Sequence, residues 1–125
     1  MFILDSNVMI ELLEEGKRHT KLMALLGEET LVTTCFSVHE ILTGANTPRK
    51  RFVLETILSA CQVLDFDRKC AIESSKQMTQ LKKNGQLIDS IDVFIASICM
   101  TKDATLVTCD KDFKRIEGLK LHLVE

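Results

Sequence analysis

The sequence predicts a single-domain α/β fold over residues 1–125, a parallel five-stranded sheet sandwiched between two layers of helices. Three observations carry that expectation. Short apolar runs alternate with segments of helical spacing along the whole chain, the pattern of parallel strands joined by crossover helices. At 125 residues, 46% apolar and 27% charged, the chain can bury one core and has the composition of a soluble globular protein. One proline and five glycines exclude a Pro-rich linker or a low-complexity tail, and no internal repeat is present.

Residues 2–5 (FILD) read as a short buried strand ending at an acid. Asn7 can cap the next helix, where Val8, Met9, Leu12 and Leu13 keep helical spacing up to Gly16. A second helix over 18–26 stops at Gly27, a good residue just past a helix end. The β-branched run Thr30–Cys35 predicts strand two. Ser37-Val38-His39-Glu40 then opens a helix that ends near Gly44. Pro48 suits the first turn of a helix over 48–60. Gln62–Asp65 is strand three, and an amphipathic helix over 68–83 ends at Asn84-Gly85. Asp89 starts a helix reaching about 102 that is almost wholly apolar after Asp92 and so must be buried on nearly all sides. Thr105–Thr108 and Leu119–Val124 are the last two strands.

The N-terminus is apolar but carries Asp5 and Glu11 and lacks a basic lead, against a signal peptide. No apolar run approaches the ~20 residues that span a bilayer, so no membrane partner is expected. Cysteines 35, 61, 70, 99 and 109 are odd in number with no C-x-x-C pair, which reads as small core residues in a reducing compartment, by default the cytoplasm. A net charge of −2 argues against a generally basic nucleic-acid binder. Basic groups are local: Arg49-Lys50-Arg51, Arg68-Lys69, Lys82-Lys83, and Lys111, Lys114 and Arg115 directly after Asp110.

Four acids fall at element boundaries: Asp5 at the end of strand one, Glu40 in the first turn after strand two, Asp92 at the head of the buried helix, and Asp110 after strand four. Right-handed parallel crossovers bring these boundaries to one sheet edge, where ligands bind in open α/β sheets. Carboxylates packed together resist ionising together, and a hard divalent cation such as Mg²⁺ or Mn²⁺ relieves them. Each acid has a rival local explanation. Asp5 fits a turn or cap. Glu40 fits the capping box S-x-x-E from Ser37. Asp92 follows Asp89 by three residues and fits an acid in a first turn, with Asp89 as the cap. Either Asp110 or Asp112 could cap the turn before Phe113, and Asp112 could instead stand behind the site. His19, His39 and His122 show no metal-ligand spacing, no Ser/His/Asp or Cys/His pairing stands out, and no Gly-rich phosphate loop is present.

Four blocks, LDSN at 4–7, SVHEIL at 37–42, DVFIAS at 92–97 and LVTCDKDF at 106–113, resemble the signature blocks of PIN domains, with the small VapC-type toxin ribonucleases the nearest in kind. The resemblance covers essentially the whole chain. It implies sheet order 3-2-1-4-5 and a Mg²⁺- or Mn²⁺-dependent endoribonuclease with Asp5, Glu40, Asp92 and Asp110 as acidic ligands. Ser6, Asn7 and Thr108 take the supporting hydroxyl and amide positions. It also implies an RNA substrate, a homodimer and a cognate antitoxin laid across exposed apolar faces, with the helices at 8–15 and 18–26 as candidates.

Competing readings make different demands. A haloacid-dehalogenase-like phosphatase needs an aspartate where Asn7 stands. A response-regulator receiver could use Asp65 or Asp67 as acceptor, but Thr108-Cys109-Asp110 offers no lysine at the strand end. An RNA-processing nuclease keeps the chemistry without the toxin role, and a non-catalytic scaffold need not bind Mn²⁺.

Overall fold

All 125 residues, Met1–Glu125, are described by a computed structural model. The elements run β1 (Phe2–Leu4), α1 (Ser6–Leu13), α2 (His19–Leu26), β2 (Val32–Thr34), α3 (Cys35–Thr43), α4 (Pro48–Leu58), β3 (Gln62–Leu64), α5 (Arg68–Lys83), α6 (Ser90–Thr101), β4 (Thr105–Thr108), a 3₁₀ turn (Lys111–Arg115) and β5 (Lys120–Leu123). The five strands form one parallel sheet in the order β3-β2-β1-β4-β5, as the sequence and its resemblance led one to expect.

Alternation along the strands sorts side chains to two cores. Ile3 and Leu106 face a layer built on α5 and α6, with Phe113 and Ile116 closing its end. Leu4 and Val107 face the other layer, with Val8, Met9 and Leu12 of α1, Leu22 of α2, Ile41 of α3 and Leu58 of α4. Helix α6 is buried nearly all round: Val93, Ile95, Ala96, Ile98 and Cys99 have no exposed surface. It is anchored in the core along most of its length, so the residue at its head is held firmly at the sheet edge. No helix is long and apolar enough to cross a membrane.

Several boundaries differ from the sequence reading. Strand one stops at Leu4, and Asp5 caps α1 in place of Asn7, its Oδ1 accepting from the Ser6 N–H. Strand two is shorter than Thr30–Cys35 because the chain passes from Thr34 straight into α3. The cap of α3 is therefore Thr34, whose Oγ1 accepts from Ser37 N–H at 3.2 Å. Ser37 lies inside the helix, so the capping box from Ser37 to Glu40 does not form. Glu40 falls in the second turn rather than the first.

Candidate active site

Leu4 pairs with Val107 and Thr33, which sets the C-terminal ends of the three central strands level with one another. The ladder continues one residue further, with the Asp5 N–H donating to the Val107 carbonyl at 3.0 Å. Asp5 is thus fixed at the centre of that edge and only 4% exposed. Its Oδ2 accepts from Thr108 Oγ1 at 2.7 Å and from Asn7 Nδ2 at 3.3 Å. Burial raises the Asp5 pKa above the ordinary carboxylate value, and Asp110 adds to the rise. The hydrogen bonds from Thr108, Ser6 and Asn7 work the other way.

Asn7 is a brace, a role no local cap rule suggests. Its Nδ2 reaches Asp5 and Thr108 Oγ1, and its Oδ1 accepts from the Cys109 N–H at 3.1 Å, so one side chain holds α1 to the end of β4. Thr108 is fully buried and also accepts from the Asp110 N–H at 3.1 Å. The chain separates these groups by about a hundred residues, so only the strand pairing could have revealed the contact.

Asp110 caps the 3₁₀ turn, its Oδ1 accepting from Asp112 N–H at 2.9 Å. Its charge acts on both Asp5 and Asp92. Asp112 is exposed, faces Arg115 at 3.9 Å, and is not among the charges that act on the other acids. Asp110, rather than Asp112, is the acid linked to Asp5 through Thr108 Oγ1, and its charge is the one felt at Asp5 and Asp92.

Asp92 lies in the first turn of α6, half-buried, and its pKa is pushed up to about 7, first by burial and then by Asp110, Asp5, Asp89 and Glu40. The Asp92 carboxylate accepts no side-chain or backbone hydrogen bond that would offset that crowding. Asp89 caps α6 through the Ile91 N–H at 2.8 Å, as expected, and its charge also bears on Asp92 and Glu40. Glu40 is exposed and accepts from Ser6 Oγ at 3.3 Å; its pKa is raised by burial of part of the carboxylate, then by Asp5. The four predicted acids thus share one electrostatic field. They do not form a ready-made cage, since no three Asp, Glu, His or Cys side chains stand close enough together to hold an ion as they are. Two carboxylates are pinned by hydrogen bonds, Asp5 and Asp110, and two are freer, Asp92 and Glu40.

Chemically the candidate donors are all carboxylate oxygens, the donor type a hard cation prefers, and such an ion would relieve their mutual repulsion. The supporting residues Ser6, Asn7 and Thr108 all contact the acids, whereas His39 points to solvent.

Comparison with known proteins agrees with this fold. The profile described as PIN domain matches residues 2–119. Similar proteins include Ribonuclease VapC2 of Rickettsia felis, 28% identical over 97% of this chain and 96% of that protein. Another is the tRNA(fMet)-specific endonuclease VapC of Salmonella typhimurium, 25% identical over 96% of this chain and 95% of the relative. Among solved structures, VapBC2 from Rickettsia felis bound to a promoter DNA fragment superposes with a TM-score of 0.82 at 26% identity, covering 99% of this chain and 98% of that one. VapBC-1 from nontypeable Haemophilus influenzae gives 0.82 at 26% identity, covering 98% and 96%.

Proposed function

The chain belongs to the PIN domain family, and on that premise we propose that it is an endoribonuclease, hydrolysing RNA phosphodiester bonds as the toxin of a type II toxin–antitoxin pair. One observation carries the reading. Carboxylates from four separate elements, Asp5, Glu40, Asp92 and Asp110, bear on one another at the C-terminal edge of the sheet. The ribonuclease names of similar proteins support it.

Asp5, Asp92 and Asp110 would hold Mg²⁺ or Mn²⁺, with Glu40 at the rim; a bound ion would supply an activated water and offset charge on the attacked phosphate. Asp5 presents its carboxylate in one orientation because Thr108, Asn7 and the Ser6 N–H fix both oxygens. Burial first, and the neighbouring acids after it, hold the Asp92 pKa up to about 7, and a cation beside the carboxylate would favour its ionised form. Thr108 and Asn7 keep Asp110 in register with Asp5 by holding the end of β4.

The antitoxin segment would cross α1 and α2, where Ile10 and Met23 are exposed, and enter the groove lined by Ile10, Leu13, Glu40, Lys50 and Leu54. That groove reaches the acids at Glu40, so an antitoxin seated there would screen the site. Solved toxin–antitoxin complexes among the similar structures support such a partner. A homodimer could use the exposed Phe52 and Val53 of α4. Five free thiols are in keeping with the reducing cytoplasm.

The deciding experiment incubates the purified chain with a mixed cellular RNA pool and Mg²⁺ or Mn²⁺. Cleavage is expected, and chelator, Asp5→Asn and Asp92→Asn should each abolish it. A wild type that cuts no RNA and binds no Mn²⁺ in calorimetry would falsify the proposal. Both roles predict cleavage by the purified chain, so copurification of a small antitoxin from the native host is what separates them.

A further inference from the structure

Beside the acidic centre, on the β5 side, lies a cavity of about 290 Å³ bounded by Arg18, Cys109, Lys111, Leu123, Val124 and Glu125. Cys109 and Lys111 flank Asp110 in the chain, so the wall of this cavity adjoins the backbone that carries that acid. Its floor is firm, because Asn7 Oδ1 holds the Cys109 N–H and Thr108 Oγ1 holds the Asp110 N–H.

Arg18 is built into the wall. Glu11 accepts from Arg18 Nη1 at 2.7 Å and from its backbone N–H at 3.3 Å, and the two side chains are only 25% and 19% exposed. That pairing orients the guanidinium and leaves donors over. Arg18 Nε is the one buried side-chain polar atom in the protein without a hydrogen-bond partner. That nitrogen is closed off from the cavity, so the donors left for a ligand are those of Nη2, which has no partner within the protein. Lys111 adds a second cation, exposed and free of any ion pair. Glu11, paired with Arg18 Nη1, and Glu125, exposed on the wall, offset part of this charge, so Lys111 is the unpaired cation of the cavity and Arg18 its oriented donor.

A guanidinium with spare donors and an ammonium across one cavity match the charge and acceptor geometry of a phosphodiester. An RNA strand carries a phosphate at every nucleotide, so a strand engaged at Asp110 brings further phosphates within reach of these walls. We propose that Arg18 and Lys111 form a subsite for an RNA backbone phosphate flanking the scissile one, and so set how the strand lies across Asp110. This rests on the nuclease reading above.

The test measures binding of a short fluorescein-labelled single-stranded RNA to the full chain, with Ca²⁺ in place of Mg²⁺, across a series of salt concentrations. Arg18→Gln and Lys111→Gln should each weaken binding at low salt and lower the slope of log K on log salt by about 0.7. Arg18→Lys should keep the slope yet lose affinity, because it keeps the charge and lacks the planar fork. Lys120→Gln, at the opposite sheet edge where Lys120 pairs with Asp103 at 2.7 Å, should keep the wild-type slope. In cleavage assays the two cavity variants should raise KM and leave kcat nearly unchanged. Folded Arg18→Gln and Lys111→Gln proteins with the wild-type slope overturn the subsite, as does an equal loss of slope in Lys120→Gln. Should Arg18→Gln fail to fold, Lys111→Gln decides alone. A wild type that cuts RNA while the cavity variants bind normally removes only the subsite. A wild type that neither binds nor cuts RNA removes the nuclease reading and the subsite with it.

Discussion

Thr108 and Asp5, 103 residues apart in sequence, meet through a 2.7 Å hydrogen bond in which the threonine hydroxyl donates to Asp5 Oδ2. The same hydroxyl accepts from the Asp110 N–H, so one buried oxygen ties two of the acids to a common reference. Thr108→Val keeps the shape and removes this tie. It should cost about 1–3 kcal/mol in urea unfolding and lower Mn²⁺ affinity by about 10–100-fold in calorimetry. Thr108→Ser should retain most of both.

Asp92 gives the metal-free protein a distinct pH dependence. Its carboxyl titrates near 7 when folded against 3.8 ordinarily, so between those values the folded chain holds a proton that the unfolded chain has released. That contribution to stability is complete below about pH 4, falls as pH rises, and is lost above about pH 7. In chelator the wild-type Tm should drop by on the order of a few °C between about pH 5 and about pH 7.5. Asp92→Asn should flatten that slope, and saturating Mn²⁺ should reverse it in the wild type. An Asp92→Asn protein with the wild-type slope would assign the effect to another group.

Asp110→Asn and Asp112→Asn should part company. Asp110 acts on Asp5 and Asp92, whereas Asp112 is exposed beside Arg115. RNA cleavage should be lost in the first and stay within about twofold of wild type in the second, since surface ion pairs are worth little. Equal losses would show that the 3₁₀ turn, rather than the carboxylate, was the sensitive element.

Capping and metal binding separate at α3. Thr34→Ala should cost about 1 kcal/mol in stability by removing the true cap. Glu40→Gln should leave metal-free stability unchanged or slightly higher, because it removes a charge that Asp5 and Asp89 oppose. Its loss should be read in metal affinity and cleavage.

Much of the site was legible because it rests on boundaries, and strand-to-helix boundaries are what residue patterns mark best. Asp5 and Asp110 were locatable from apolar runs that stop at or just before an acid, and Asp92 from the apolar helix that starts after it. Glu40 was placed one turn early because two local rules competed. The β-branched stretch through Cys35 looked like continuing strand, and Ser37-x-x-Glu40 then offered a complete but unused capping box. Asn7 shows the other limit. As a residue two after Asp5 it read as a helix cap, yet its partners Thr108 and Cys109 lie across the sheet, where no sequence-local signal reaches. The Arg18 cavity was equally hidden, since it joins the α1–α2 connection to the end of β4.

The direct joints between strand and helix carry a further consequence. A single residue, Asp5, separates β1 from α1, and none separates β2 from α3. Each residue added to a helix start turns everything after it by about 100°. An insertion at either joint would swing Ser6 and Asn7, or Glu40, away from their partners while leaving the apolar composition intact. The connections at 44–47 and 84–89 have slack and border no such joint. Length variation in this molecule is therefore partitioned, freely absorbed in those loops and forbidden at the two places where strand becomes helix without a pause.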